Sequence, residues 1–254
     1  MAFFKELQIF GKSILNWVYT FLTATVIAFA FGVENILIFG KELTVPFFSY
    51  RSFAVIFFDK ISRDLLPEGV ELIVTGPMEA FWAQVGISFF LAFIATLPVL
   101  LFCVLKFLFP AFTSAEKRTT FKVLIPSIIL FFSGAIFSYY YLIPATIDIL
   151  YLFVFNIGAA SFFSVKEFVS MVLLLIFGIG TVFMLPIFMV LLSSLGIINP
   201  NFWKENWRYS FLFFLIFAAI VTPDGSGVTM MILTVPLTLL YAAGYIGSRK
   251  VFRS

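Results

Sequence analysis

Residues 107–118 read FLFPAFTSAEKR and form the polar interruption between two long apolar stretches, about Glu79–Phe107 and about Phe121–Tyr141. Each stretch is long enough to cross a hydrocarbon core of roughly 30 Å, which takes about 20 helical residues. The polar run therefore predicts a short loop at a membrane surface between two spans. Its carboxylate lies beside two cations in Glu116-Lys117-Arg118, a group that can recognise a charged ligand.

Composition extends this prediction to the whole chain. The 254 residues are 62% hydrophobic and 11% charged, and the mean hydropathy is +1.12. A soluble domain of this length does not need so much apolar surface, so we predict an all-α polytopic membrane protein. Histidine is absent and Cys103 is the only cysteine, which excludes an intrachain disulfide and removes the commonest general base and metal ligand. We expect no cofactor, no metal, no enzymatic activity and no nucleic-acid partner.

Six apolar stretches predict six transmembrane helices within a single domain, 1–254. The last two are expected to be short, because the fifth has 13 residues and reaches only about 20 Å. A cap with short helices is predicted at about 34–76, and a second exposed segment at about 146–167. The predicted spans are about 14–31, 79–107, 121–141, 168–195, 209–221 and 228–246.

The first apolar stretch has an alternative interpretation. Ala28-Phe29-Ala30 resembles a signal-peptidase site, and a weakly basic start precedes the stretch. The apolar run is long for a signal-peptide core, so we favour an uncleaved first span.

Charge predicts the orientation. The two termini and the loops at 106–122 and 196–208 fall on one side, which holds 11 of the 16 cations and 3 of the 13 anions. The other side holds 5 cations and 10 anions. The positive-inside rule places the first side, with both termini, in the cytoplasm.

Few residues are candidates for chemistry. Glu116 could close a capping box with Thr113 at the next helix, or its carboxylate could grip an arginine guanidinium in a charge-assisted pair. Asp224, with Thr222, could form the turn between the last two spans or a polar patch for a partner helix. Glu6 fits the start of an amphipathic helix. Gly178 and Gly180 predict close helix packing more than a ligand site.

Several motifs resemble the TatC family, the multi-spanning receptor subunit of the twin-arginine protein translocase. They run in family order and spacing from about Pro77 to about Tyr241. The blocks are Leu97-Pro-Val-Leu-Leu101, Phe107 with Pro110 and Glu116-Lys117-Arg118, Phe183-Met184-Leu-Pro186 with Gly196, Thr222-Pro-Asp224, and Pro236 with Tyr241.

The resemblance implies a function that the residues alone do not indicate. TatC-like proteins bind twin-arginine signal peptides of folded proteins at the cytoplasmic face and recruit single-span TatA/TatB-type subunits. Proton-motive force drives the export, and the complex sits in the cytoplasmic (inner) membrane with lipid and further copies of itself. The signal-binding residues it implies are Glu116, Glu6, Phe107, Pro110, Arg118 and Lys117, and the partner-docking residues are Thr222, Asp224, Met184 and Pro186.

The sequence departs from the family pattern at three positions. Gln8 and Phe10 stand where the family has arginines after the N-terminal glutamate, and Met184 replaces a glutamate inside the fourth span. These changes favour a divergent member with altered signal preference, or one working beside a second paralogue. The alternatives are a TatC-like assembly or structural factor without signal binding, and a small-molecule permease or channel with substrate between the fourth span and the short hairpin.

Overall fold

A computed structural model describes residues 2–38, 41–48, 51–67, 70–108, 117–156 and 162–252. Helices dominate these residues, and four strands are short or confined to one hairpin. The elements are α1 (Ala2–Ala30), β1 (Phe31–Ile38), β2 (Lys41–Phe48), α2 (Phe53–Leu65), β3 (Glu71–Ile73), α3 (Pro77–Leu108), α4 (Lys117–Phe137), a π-helical segment (Ser138–Leu142), α5 (Ile143–Asn156), β4 (Phe162–Ser164), α6 (Val165–Phe183), α7 (Leu185–Ser194), α8 (Pro200–Glu205), α9 (Trp207–Val221) and α10 (Gly227–Phe252).

Five helical stretches in the described residues are long and apolar enough to cross a bilayer, and α9 is a shorter apolar helix. The prediction of an all-α polytopic membrane protein is therefore confirmed. The count of six spans, the cytoplasmic termini and the single domain stay predictions. The five stretches are Phe10–Ala30, Pro77–Leu105, Val123–Val154, Val165–Ser194 and Gly227–Lys250.

The third span is longer than predicted, and the second exposed segment is correspondingly shorter. We expected the helix to end near Pro144, but it continues as α5 to Asn156. The π-helical segment lies immediately before this proline, and the Ile143 N–H bonds the Ser138 carbonyl across the widened turn. A widened turn accommodates a proline ring and its missing N–H inside a helix, so the proline does not end the span.

The last helix is also longer than predicted. We expected two short final spans, yet α10 has 26 residues while α9 has 15. Arg249 and Lys250 extend its last turn as part of the helix. The prediction of a short final pair was wrong for α10 and holds for α9 alone.

The predicted cap contains a hairpin as well as a helix. Strands β1 and β2 pair antiparallel from Phe31–Phe48 to Ile38–Lys41, and α2 follows. We expected short helices only. The sequence signal for a hairpin was Gly40 between two stretches rich in β-branched and aromatic residues.

The helices group into two compact units. The first comprises Met1–Ile125 and Phe162–Leu173, and the second comprises Pro126–Ser161 and Leu174–Ser254. In the first, α1 and α2 pack on α3, and β3 pairs in parallel with β4. In the second, α7, α8 and α9 pack on α10.

Small residues allow close packing in the second unit, as the sequence predicted for Gly180. A Cβ on Gly180 would lie 2.9 Å from the Phe131 ring, and one on Gly134 would lie 2.7 Å from Phe183. Two phenylalanines thus fill the notches left by two glycines on the facing helix. Gly178 meets nothing within 4 Å, so the packing prediction applies to only one glycine of the pair.

Candidate functional site

Helices α1 and α3 form an antiparallel pair whose contacts define a register. The Cys103 thiol donates to the Ser13 carbonyl at 3.8 Å, and the Trp17 indole N–H donates to the Thr96 carbonyl at 3.3 Å. Further along, the rings of Phe21 and Phe89 lie 5.6 Å apart. The two helices therefore run in opposite directions, and the start of α1 lies toward the end of α3.

This antiparallel pairing brings two predicted signal-binding segments to the same end of the helix pair. Glu6 lies about two turns before Ser13 on α1, and α3 ends at Leu108, directly after Phe107. The antiparallel direction of the two helices therefore leads from Ser13 toward Glu6 on α1 as it leads from Cys103 toward the end of α3. Lys117 and Arg118 begin α4. Pro110 and Glu116, with the capping box proposed for Thr113, lie outside the described residues.

Met184 and Pro186 form a break in the fourth span. Helix α6 ends at Phe183 and α7 begins at Leu185, because Pro186 cannot donate the backbone bond that would continue the helix. Both side chains are buried. Pro186 faces α10 closely, since a Cβ on Gly244 would lie 2.9 Å from the Pro186 Cα.

Thr222 and Asp224 form the connection between α9 and α10. The Thr222 hydroxyl donates to the Ala218 carbonyl at 2.8 Å, which satisfies the end of α9. The Asp224 carboxylate accepts from the Thr229 hydroxyl at 2.7 Å, from the Ser226 N–H at 3.2 Å and from the Ser226 hydroxyl. The turn-forming interpretation therefore has full geometric support, because this carboxylate organises the first turn of α10.

The four predicted docking residues do not form one surface. Pro186 lies beside Gly244, whereas Asp224 bonds Thr229, and 15 residues of α10 separate those two positions by about 22 Å. All four side chains are buried within the chain. Their role in docking stays a prediction, and each also has a structural role.

We expect Asp224→Ala to lower the free energy of unfolding by about 1–2 kcal/mol, the usual effect of losing a capping carboxylate. Asp224→Asn should lose less, since it keeps one oxygen for Thr229. Chemical unfolding followed by circular dichroism measures both, and Asp148→Ala is the control because Asp148 is exposed in the same unit. Unchanged stability with impaired association of single-span subunits would instead favour the docking role.

Glu79 forms a buried cluster that the sequence did not reveal. Its carboxylate accepts from the Thr75 N–H and hydroxyl at 2.6 Å each, from the Lys166 N–H at 2.9 Å and from the Ser164 hydroxyl. Ser164 directly precedes α6, and Glu79 lies in the first turn of α3. One carboxylate therefore joins the starts of two helices, where a negative charge is favourable. The sequence signals that could have located these two helix starts are Pro77 for α3 and Ser164 for α6.

A cleft of about 460 Å³ opens beside this cluster. Its walls mix carboxylates, a lysine, hydroxyls and the exposed side chains of Met78 and Trp82. It lies at the starts of α3 and α6, within the first unit. The lining residues are Thr75, Gly76, Pro77, Met78, Glu79, Trp82, Ser164, Lys166 and Glu167.

Comparison with known proteins matches this architecture to one family. The family model for TatC, described as Sec-independent protein translocase protein, matches residues 6–236. The chain belongs to the TatC family. As a member of a translocase family, it is a multi-pass membrane protein and a transport protein rather than an enzyme.

Individual TatC proteins support the assignment over 74–97% of the chain. The TatC protein of Cenarchaeum symbiosum is 35% identical over 245 residues, which cover 96% of this chain and 93% of that protein. The TatC protein of Aquifex aeolicus is 34% identical, over 74% of this chain and 79% of that protein. A crystal structure of the twin arginine translocase receptor TatC matches with a TM-score of 0.76 and 27% identity, covering 97% of this chain and 99% of that one.

Proposed function

We propose that this chain is the receptor subunit of a twin-arginine translocase. It binds twin-arginine signal peptides of folded proteins on the predicted cytoplasmic face, with a surface formed by the N-terminal segment and the 107–118 loop. It belongs in the cytoplasmic membrane of its source cell, and transport draws on the proton-motive force.

The observation that carries this proposal is the register between α1 and α3. Ser13 contacts Cys103 and Trp17 contacts Thr96, and this antiparallel pairing supports a surface formed where the start of α1 and the end of α3 lie at the same end of the pair. Segments about 100 residues apart in sequence are thereby available to one ligand. A carboxylate on this surface suits a guanidinium, which donates in a rigid fork that an ammonium does not reproduce.

We further propose that single-span subunits dock on the second unit, along α9 and α10. Helix α9 presents exposed apolar side chains such as Leu212, Phe213 and Ile220, which an apolar partner helix could cover in the bilayer. Its 15 residues reach about 22 Å, less than the roughly 30 Å of an average hydrocarbon core. A partner there would meet a bilayer thinner than average.

Glu116→Gln should weaken binding of a twin-arginine signal peptide by roughly tenfold to a hundredfold, the range for losing one charge-assisted, bidentate pair. Binding of the twin-lysine version should change little, because an ammonium does not use the bidentate geometry. Fluorescence anisotropy with labelled peptides and the detergent-purified protein measures both affinities.

Glu205→Gln is the matched control, since it removes one carboxylate from another loop on the same predicted side. Equal affinity of the parent protein for both peptides would overturn the receptor proposal. That result, with a folded protein in the membrane, would favour the assembly-factor alternative.

A further inference from the structure

The short helix α8 is held firmly against two neighbouring helices. The Trp203 indole N–H donates to the Ser193 hydroxyl at 3.1 Å, at the end of α7. The Tyr241 hydroxyl donates to the Trp203 carbonyl at 2.6 Å, from α10, and the two rings pack edge to face. Residues on the outer side of α8 and at the start of α9 are therefore presented on a fixed support.

That outer side combines exposed aromatic and cationic side chains. Phe202 and Trp207 are about half exposed and Tyr209 is 73% exposed. Lys204 and Arg208 are exposed between them. Aromatic rings next to lysine and arginine at a helix end are typical of the boundary between lipid tails and headgroups. We call this surface the basic–aromatic shelf, formed by Phe202, Lys204, Trp207, Arg208 and Tyr209.

Helix α8 contacts α10 before the end of that helix. Tyr241, which contacts α8, precedes the last residue of α10 by 11 positions, or about 16 Å along the helix. Arg249 and Lys250 lie near that far end. Lys204 and Arg208 are exposed beside the aromatic side chains of the shelf, where an anionic group next to the cations is favourable.

The cations of the shelf are available to such a group. Among the described residues, neither Lys204 nor Arg208 forms an ion pair with a carboxylate, and the Arg208 guanidinium lies 5.7 Å from the centre of the Trp207 ring. Glu205 is exposed beside the shelf, so Lys204, Arg208 and Glu205 together carry one net positive charge. The chemistry fits a phosphate held by lysine and arginine, with acyl chains along the aromatic rings of the shelf.

We propose that the basic–aromatic shelf binds the phosphate of anionic phospholipids, in the leaflet that the charge distribution predicts to be cytoplasmic. The bound headgroups would lie level with α8 and below the end of α10. The lipid would thus seal the membrane around the short helix α9. This site does not depend on signal-peptide binding.

Short-chain phosphatidylglycerol, titrated into the detergent-solubilised protein and counted by native mass spectrometry, tests the proposal. Phosphatidylcholine with the same chains is the control lipid. We expect preferential binding of phosphatidylglycerol, reduced roughly twenty-five-fold by Lys204→Gln with Arg208→Gln, from about fivefold for each cation near an anionic headgroup. Equal binding of the two lipids by the parent protein would overturn the proposal.

Arg249→Gln with Lys250→Gln is the matched variant, because it removes the same charge at the far end of α10. It should retain binding, and an equal loss there would overturn the location. Lys204→Arg with Arg208→Lys keeps both charges and should also retain binding. If the conservative variant binds and the glutamine variant does not, the lost binding is due to the lost charges. If neither variant binds, the substitutions have disrupted the fold of the shelf.

Discussion

Leucine in place of Gly134 is expected to lower the free energy of unfolding by about 3 kcal/mol, in the upper part of the usual range for overpacked cores. A Cβ at this position would lie 2.7–2.8 Å from Phe183 and 3.0 Å from the Cα of Gly180. The second contact is with backbone, so a change of side-chain rotamer cannot relieve it. Helices α4 and α6 would have to separate, and the buried rings of Phe131 and Phe183 would lose their notches.

Unfolding of the purified protein in a denaturing detergent, followed by circular dichroism, measures this loss. Gly178→Leu is the matched control, because Gly178 lies on α6 and has open space where a Cβ would stand. It should change stability by much less, and the added leucine even improves helix propensity. Equal losses in the two variants would contradict the close-packing interpretation.

Glu79→Ala is expected to loosen the first unit more than any other single change at its cleft. Four donors now converge on this carboxylate, and two of them are backbone N–H groups of Thr75 and Lys166. Removing the acceptor leaves these donors without a partner and detaches the start of α6 from the start of α3. Glu79→Gln should destabilise the unit less, because its amide keeps one oxygen to accept from these donors. It should still destabilise the unit, because the amide N–H₂ group would face donors and not acceptors.

Cys103 gives a direct readout of this change. It is the only cysteine, it is buried, and it lies on α3 in the same unit as Glu79. Reaction with a thiol-specific dye during heating should begin several degrees lower in Glu79→Ala than in the parent protein. Glu167→Ala is the control, because Glu167 is an exposed carboxylate in the wall of the same cleft. An unchanged temperature in Glu79→Ala would rule out the joining role.

Apolar helices lie where the sequence predicted spans, but several of their ends differ from the prediction. Apolar length identified the spans near α1, α3 and α6–α7, because a bilayer imposes one length on every crossing helix. Pro144 was taken as a helix end, although the π-helical segment before it lets α5 continue. The sequence shows that a proline disfavours the helix interior. Whether the helix ends there depends on the conformation of the neighbouring turn.

The candidate site was only partly within reach of sequence reasoning. Asp224 was recognised as either a turn residue or a docking residue, and its bonds to Ser226 and Thr229 define the turn. Glu79 was noted only as a charge near a span end. Its partners Ser164 and Lys166 lie more than 80 residues away in sequence, so no local pattern could reveal that they meet.

The sequence by itself determined the class of protein, the number of apolar stretches and the family resemblance, because these depend on composition and on the order of motifs. Only the tertiary structure decided which distant residues meet. Antiparallel pairing brings the start of α1 to the end of α3, and parallel packing of α7 on α10 places Pro186 against Gly244. In a chain this uniformly apolar, hydrophobicity drives helices into the membrane without choosing their neighbours. The neighbours are determined by contacts that only one arrangement allows. These contacts come from glycines that let rings pack closely, from buried carboxylates and from a few hydroxyl groups.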